Sequence, residues 1–112
     1  MPAYVIVTID VLDEEAGLAY ASAAQESVLR HGGRYLVAGP TPEPVEGTWE
    51  SSRIVIIEFP GGDRIRQWYD SPEYRRARAL REGKVRVGMV FAEGSPPEGF
   101  TVAAGPSPGT GG

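Results

Sequence analysis

The order of strand and helix signals along the chain, βαββαβ, predicts an α+β sandwich of the ferredoxin-like kind. Three observations carry the prediction. Four runs read as strands, at Ala3–Asp10, Arg34–Ala38, Arg53–Phe59 and Lys84–Ala92. Helical patterns fall only between the first and second strands and between the third and fourth, the arrangement of the split βαβ fold. The first and third strands are apolar on both faces, with Val5, Val7 and Ile9 backed by Tyr4, Ile6 and Thr8, and Val55, Ile57 and Phe59 backed by Ile54 and Ile56. Helices on one side leave the other sheet face open, and an antiparallel sheet facing water is polar there. An open face this apolar calls for another sheet, most simply that of a second copy related by a twofold axis.

Each element has a local cause. Ala3–Asp10 is rich in β-branched residues and closes on acidic ones. Asp13 then caps a helix whose first turn holds Glu14 and Glu15, with a buried stripe expected through Ala16, Tyr20, Ala23, Ser27 and Val28. The small residues on that stripe imply close approach to the layer beneath. His31-Gly32-Gly33 ends the helix, because glycine adopts the left-handed conformation that closes it. Arg34–Ala38 follows as the second strand, expected to return antiparallel beside an earlier one. Pro40, Pro42 and Pro44 keep Gly39–Ser52 irregular, with Val45 and Trp49 as its large apolar groups.

The stretch Arg53–Arg81 is the centre of the pattern. Its strand ends at Pro60-Gly61-Gly62, a short helix signal runs through Trp68 and Tyr69, and a second helix opens at Ser71-Pro72-Glu73. Ser71 supplies a cap, Pro72 suits the first helical position, and Glu73 complements the positive end of the helix dipole. Ile65, Trp68, Tyr69, Tyr74, Ala77 and Leu80 are the inward candidates. One domain, residues 1–93, accommodates all of this. Residues 94–112 form a Gly/Pro-rich flexible C-terminal tail in expectation, holding six glycines and four prolines.

Composition excludes several classes. Without cysteine there is no disulfide framework and no thiolate chemistry, and a reducing cytoplasmic location is expected. The first apolar run has no basic segment before it and meets Asp10 and Asp13 early, so neither a signal peptide nor a membrane span is expected. Net charge is −4, yet residues 64–86 carry eight basic and three acidic groups. In an acidic protein with no recognised binding module, that patch reads as a solvated helix face or as attraction between subunits, not as a nucleic-acid site. One histidine, no cysteine and no ligand-spaced carboxylates leave no metal or cofactor expected.

Several of these runs together resemble one family. His31–Val37, Trp49, the segment RIVIIEFP at Arg53–Pro60 and WYDSPEY at Trp68–Tyr74 are similar, in order and spacing, to the family of small bacterial proteins called domain of unknown function 1330. The resemblance spans Met1–Gly94. It implies the dimeric α+β barrel superfamily, in which two ferredoxin-like subunits pack sheet to sheet and which also holds small monooxygenases, haem-degrading proteins and dehydratase-like enzymes. The family has no settled activity, so the resemblance carries a fold further than a function. Where the family's motif reads GGRYLVRGG, this chain reads GGRYLVAGP, with Ala38 in place of the second arginine.

The chemistry-bearing residues are few. His31 and Glu58 are the catalytic candidates: a histidine moves protons near neutral pH, and Glu58 is the single acid on an otherwise apolar strand face. Arg34 and Arg53 suit bidentate recognition of a small carboxylate, and Trp49, Trp68, Tyr69 and Tyr74 offer an aromatic wall. Each has a structural alternative: a helix cap for His31, ion pairing for Glu58 and the arginines, core packing for the aromatics. Two function classes stay open. One is a metal-independent enzyme acting on a small anionic or aromatic metabolite; the other is a non-catalytic homodimer that binds a small ligand or a partner.

Overall fold

The computed structural model describes residues 1–94 and 98–100. Its elements run β1 (Ala3–Val11), α1 (Glu14–Arg30), β2 (Arg34–Ala38), β3 (Arg53–Phe59), α2 (Gly62–Tyr69), α3 (Pro72–Arg81) and β4 (Val85–Glu93). The strands form one antiparallel sheet in the order β2-β3-β1-β4. This is the ferredoxin-like α+β fold. Strand β2 departs from expectation: it pairs with the later strand β3 at the sheet edge. The three-residue connection His31-Gly32-Gly33 between α1 and β2 sets β2 down one strand beyond β1, where β3 then fills the space between them.

Capping fixes the helices as the sequence indicates. Asp13 Oδ1 accepts from Ala16 N at 3.2 Å, and Ser71 Oγ accepts from Tyr74 N at 3.1 Å. Gly32 takes φ +85° after α1, and Gly33 N donates to Val28 O at 3.0 Å. A Cβ on Gly33 would lie 2.8 Å from both Phe59 and Val28 side chains, so only glycine lets the chain turn this close to the core.

One sheet face and the helices enclose the core. Ala3, Val5, Val7, Ile57 and Phe59 meet Tyr20, Ala24, Val28, Ile65, Trp68, Tyr74 and Ala77. Ser27 is also buried, because its hydroxyl has partners: it donates to Ala24 O at 2.7 Å and accepts the indole N–H of Trp68 at 2.9 Å. Leu80, expected inward, is 45% exposed on α3. Ala77, one turn earlier, holds the contact with α1, and Leu80 falls past the edge of that face. Of the tail, only 94 and 98–100 are described; Phe100 is exposed there, and the rest of the tail expectation lies outside the described residues.

Among the described residues no helix covers the opposite sheet face. The pairing register aligns Val90, Ile6, Ile56 and Val37 in one row across all four strands, with Val90 57% exposed. The next row reads Ala92, Tyr4, Glu58 and Arg34. An irregularity between Tyr35 and Val37 inserts Leu36 as an extra residue in β2. That bulge puts Arg34 and Val37 on the open face and Tyr35 and Ala38 on the helix face.

Candidate functional site

Helix α1 spans a cleft of about 580 Å³ against the helix-side face of the sheet. Small residues make it. Gly17, Ala21 and Ala24 on α1 and Ala38 on β2 line it without filling it, opposite Val7 and Ile9 of β1 and Val55 and Ile57 of β3. The volume falls in the range of small-molecule sites, and the walls are largely apolar, as such sites usually are.

The polar groups of the cleft are few and ordered. Arg53, at the start of β3, stands at its edge and donates from Nη1 to Gly39 O at 3.2 Å. Glu14 and Gln25 contribute from α1. Tyr20 and Tyr35 line the interior. The Tyr20 hydroxyl lies 2.7 Å from that of Tyr74, which is fully buried behind it on α3. Burial pushes the Tyr20 hydroxyl well above the usual tyrosine range, and burial followed by the nearby Tyr74 oxygen raises Tyr35 to about 12. Both phenols are therefore protonated, neutral donors throughout the physiological range. Arg81 extends over the Tyr20 ring, its guanidinium carbon 5.2 Å from the centroid.

The residues singled out in the sequence fall into three places. Arg34, Arg53 and Trp68 line the cleft. Trp68 is its buried aromatic floor, packed against Tyr74 at a 42° tilt with ring centroids 4.3 Å apart, while Tyr74 and Tyr69 stand in the layer behind, Tyr69 under the Arg78 guanidinium at 4.6 Å. Arg34 touches the cleft only at the sheet edge. Its guanidinium lies on the open face, where Nε donates to Glu58 Oε1 at 2.8 Å and Tyr4 donates its hydroxyl to Glu58 Oε2 at 3.1 Å. The Arg34 bond, then the Tyr4 bond, hold the Glu58 carboxyl below the usual carboxylate range.

His31 is not among the cleft's lining residues. It closes α1, with Nδ1 donating to Ser27 O at 3.0 Å and its carbonyl accepting from Arg64 Nη1 at 3.2 Å. Trp49 is 42% exposed in the irregular segment after β2, also away from the lining. His31 and Glu58 thus occupy opposite sides of the sheet. Tyr20 and Tyr35 were not singled out by sequence reasoning: Tyr20 sits on an ordinary helical stripe and Tyr35 on a short strand, and only the fold brings both to one cavity.

Among the described residues no group of three or more His, Asp or Glu side chains converges as a metal site, and no helix is long and apolar enough to cross a membrane.

Residues 2–95 match the family described as domain of unknown function (DUF1330). No curated protein matches. Among solved structures, the chain is similar to a protein of unknown function from Rhodopseudomonas palustris, at 18% identity and TM-score 0.71 over 86% of this chain and 84% of that one. A dimeric ferredoxin-like protein of unknown function from Jannaschia is similar at 15% identity and TM-score 0.62, over 83% and 99%. SnoaB from Streptomyces nogalater, a cofactor-independent oxygenase, is similar at 13% identity and TM-score 0.55, over 88% and 95%. At these identities the likeness is one of fold.

Proposed function

The chain belongs to the family described as domain of unknown function (DUF1330), and on that premise we propose that it works as a homodimer, paired sheet to sheet, whose subunits each bind a small aromatic or anionic metabolite in the cleft under α1. The observation that carries the reading is the cleft itself: about 580 Å³, walled by aliphatic side chains, floored by Trp68, with Arg53 at its edge. Such a cavity accepts a flat apolar ring and orients it through one charged contact. Ala38, where the resembled motif carries a second arginine, leaves Arg53 as the guanidinium on the helix-side face of the β2–β3 edge and makes the remaining wall more apolar.

Pairing is supported by the row Val90, Ile6, Ile56 and Val37 on the open face. A second sheet laid on it buries that row, and a twofold pair does so with one self-complementary surface. The Jannaschia relative of this fold is described as dimeric, which fits the same arrangement.

Whether the bound molecule is transformed divides two readings. Metal-independent catalysis is compatible with the fold, since SnoaB is described as a cofactor-independent oxygenase. Binding without turnover is favoured by a specific observation: His31 and Glu58, the strongest acid–base candidates, lie outside the cleft lining and are engaged in Ser27 and Arg34 contacts. Screening parent protein and Ala24→Trp against a panel of phenols and aromatic carboxylates by thermal shift tests the cleft. Stabilisation of the parent that disappears when the indole fills the cavity supports the reading; equal responses in both proteins reject it. Product analysis of the binders then separates turnover from simple binding.

A further inference from the structure

Four groups from three elements gather at the cleft: Tyr20 of α1 and Tyr35 of β2 in its lining, and Tyr74 and Arg81 of α3 behind them. Their hydrogen-bond accounting is unbalanced. The 2.7 Å contact between Tyr20 and Tyr74 uses one of the pair's two hydroxyl hydrogens. Among the described residues no acceptor lies at the other, and Arg81 Nε is buried without a partner. Buried donors in native proteins are nearly always satisfied, so an unpaired guanidinium nitrogen beside this tyrosine pair is informative.

We propose that the Tyr20 and Tyr35 hydroxyls, backed by Tyr74 and by the positive charge of Arg81, form an oxyanion-binding corner that selects cleft ligands bearing a phenolate or enolate oxygen. The proposal rests on the cleft reading above and narrows it to a chemical class. The sign of the local field supports it. Burial keeps Tyr20 and Tyr35 protonated, so neither adds negative charge, and Arg81 lies against the Tyr20 ring, whereas the carboxylate of the lining, Glu14, stands in the first turn of α1, more than a helical turn from Tyr20. A neutral hydroxyl can donate to or accept from almost any ligand, but a fixed guanidinium beside two phenols favours an acceptor that carries charge. Trp68 does not compete, because its indole N–H is already committed to Ser27 Oγ at 2.9 Å. Arg53 at the opposite, outer edge leaves room for a second polar group on the same ligand.

The probes para-nitrophenol and para-nitrotoluene have nearly the same shape and differ in the ionisable oxygen, so their affinity ratio isolates the corner from the cleft. The parent is expected to prefer para-nitrophenol at neutral pH by roughly tenfold, the scale of one charge-assisted hydrogen bond. Phenolate absorbance should appear at lower pH for the bound probe than for the free one. Tyr20→Phe should bring the affinity ratio near one and erase the absorbance shift. Because that change leaves the Tyr74 hydroxyl without its partner, Arg81→Gln provides a second variant, expected to reduce the shift while keeping the tyrosine pair. Equal affinity of the parent for the two probes, or an unshifted phenol titration, overturns the corner while leaving the cleft standing. Failure of both probes to bind overturns both.

Discussion

The indole N–H of Trp68 donates to the Ser27 hydroxyl across 2.9 Å, joining the second helix to the first through the middle of the core. The Ser27 hydroxyl in turn donates to Ala24 O, so the pair forms a closed polar chain in an otherwise apolar layer. Replacing Ser27 with Ala strands a buried N–H donor. We expect a loss of about 1–3 kcal/mol, the usual penalty for an unsatisfied buried group, measured as a lower urea midpoint with unchanged slope. An unchanged midpoint would mean that the indole finds another acceptor.

The open sheet face makes a different prediction. Ile56 sits mid-row between Ile6 and Val37, so Ile56→Asp puts a charge at the centre of the surface proposed to pair. Light scattering should give twice the chain mass for the parent and a folded species of single-chain mass for the variant. A parent that is monomeric with a native spectrum contradicts pairing.

Glu58 should govern part of the acid limb. Arg34, then Tyr4, lower its folded pKa beneath the ordinary glutamate value of 4.5. A depressed carboxylate stabilises the fold above its unfolded pKa and loses that contribution as the pH falls through the folded value. The stability difference between parent and Glu58→Gln should therefore be flat near neutrality and shrink below about pH 4.5. A difference that grows on acidification would show that the carboxylate is not stabilised by Arg34.

The features of this molecule differ in how much of them the sequence reveals. Ser71-Pro72-Glu73 announces α3 because capping is local chemistry, and the cap appears as expected. The apolar second face of β1 and β3 is equally legible, since side-chain alternation places it without any tertiary knowledge. Glu58 shows only as an oddity; its partners are 24 and 54 residues away in the chain. The cleft is least legible of all. It depends on small residues failing to fill a space, and on Tyr20 meeting Tyr74 across 54 positions, and neither leaves a periodic trace. His31 shows the converse: a lone histidine attracts chemical interpretation, whereas its Nδ1 closes the helix that precedes it.

The cleft is the centre of the functional account, and nuclear magnetic resonance mapping of a bound aromatic carboxylate or phenol tests it most directly. Amide and methyl shifts should concentrate at Ala24, Val28, Tyr35 and Val55, on the two walls under α1. Shifts confined to the open-face row of Ile6, Ile56 and Val90, or no saturable shifts across the panel, would contradict it.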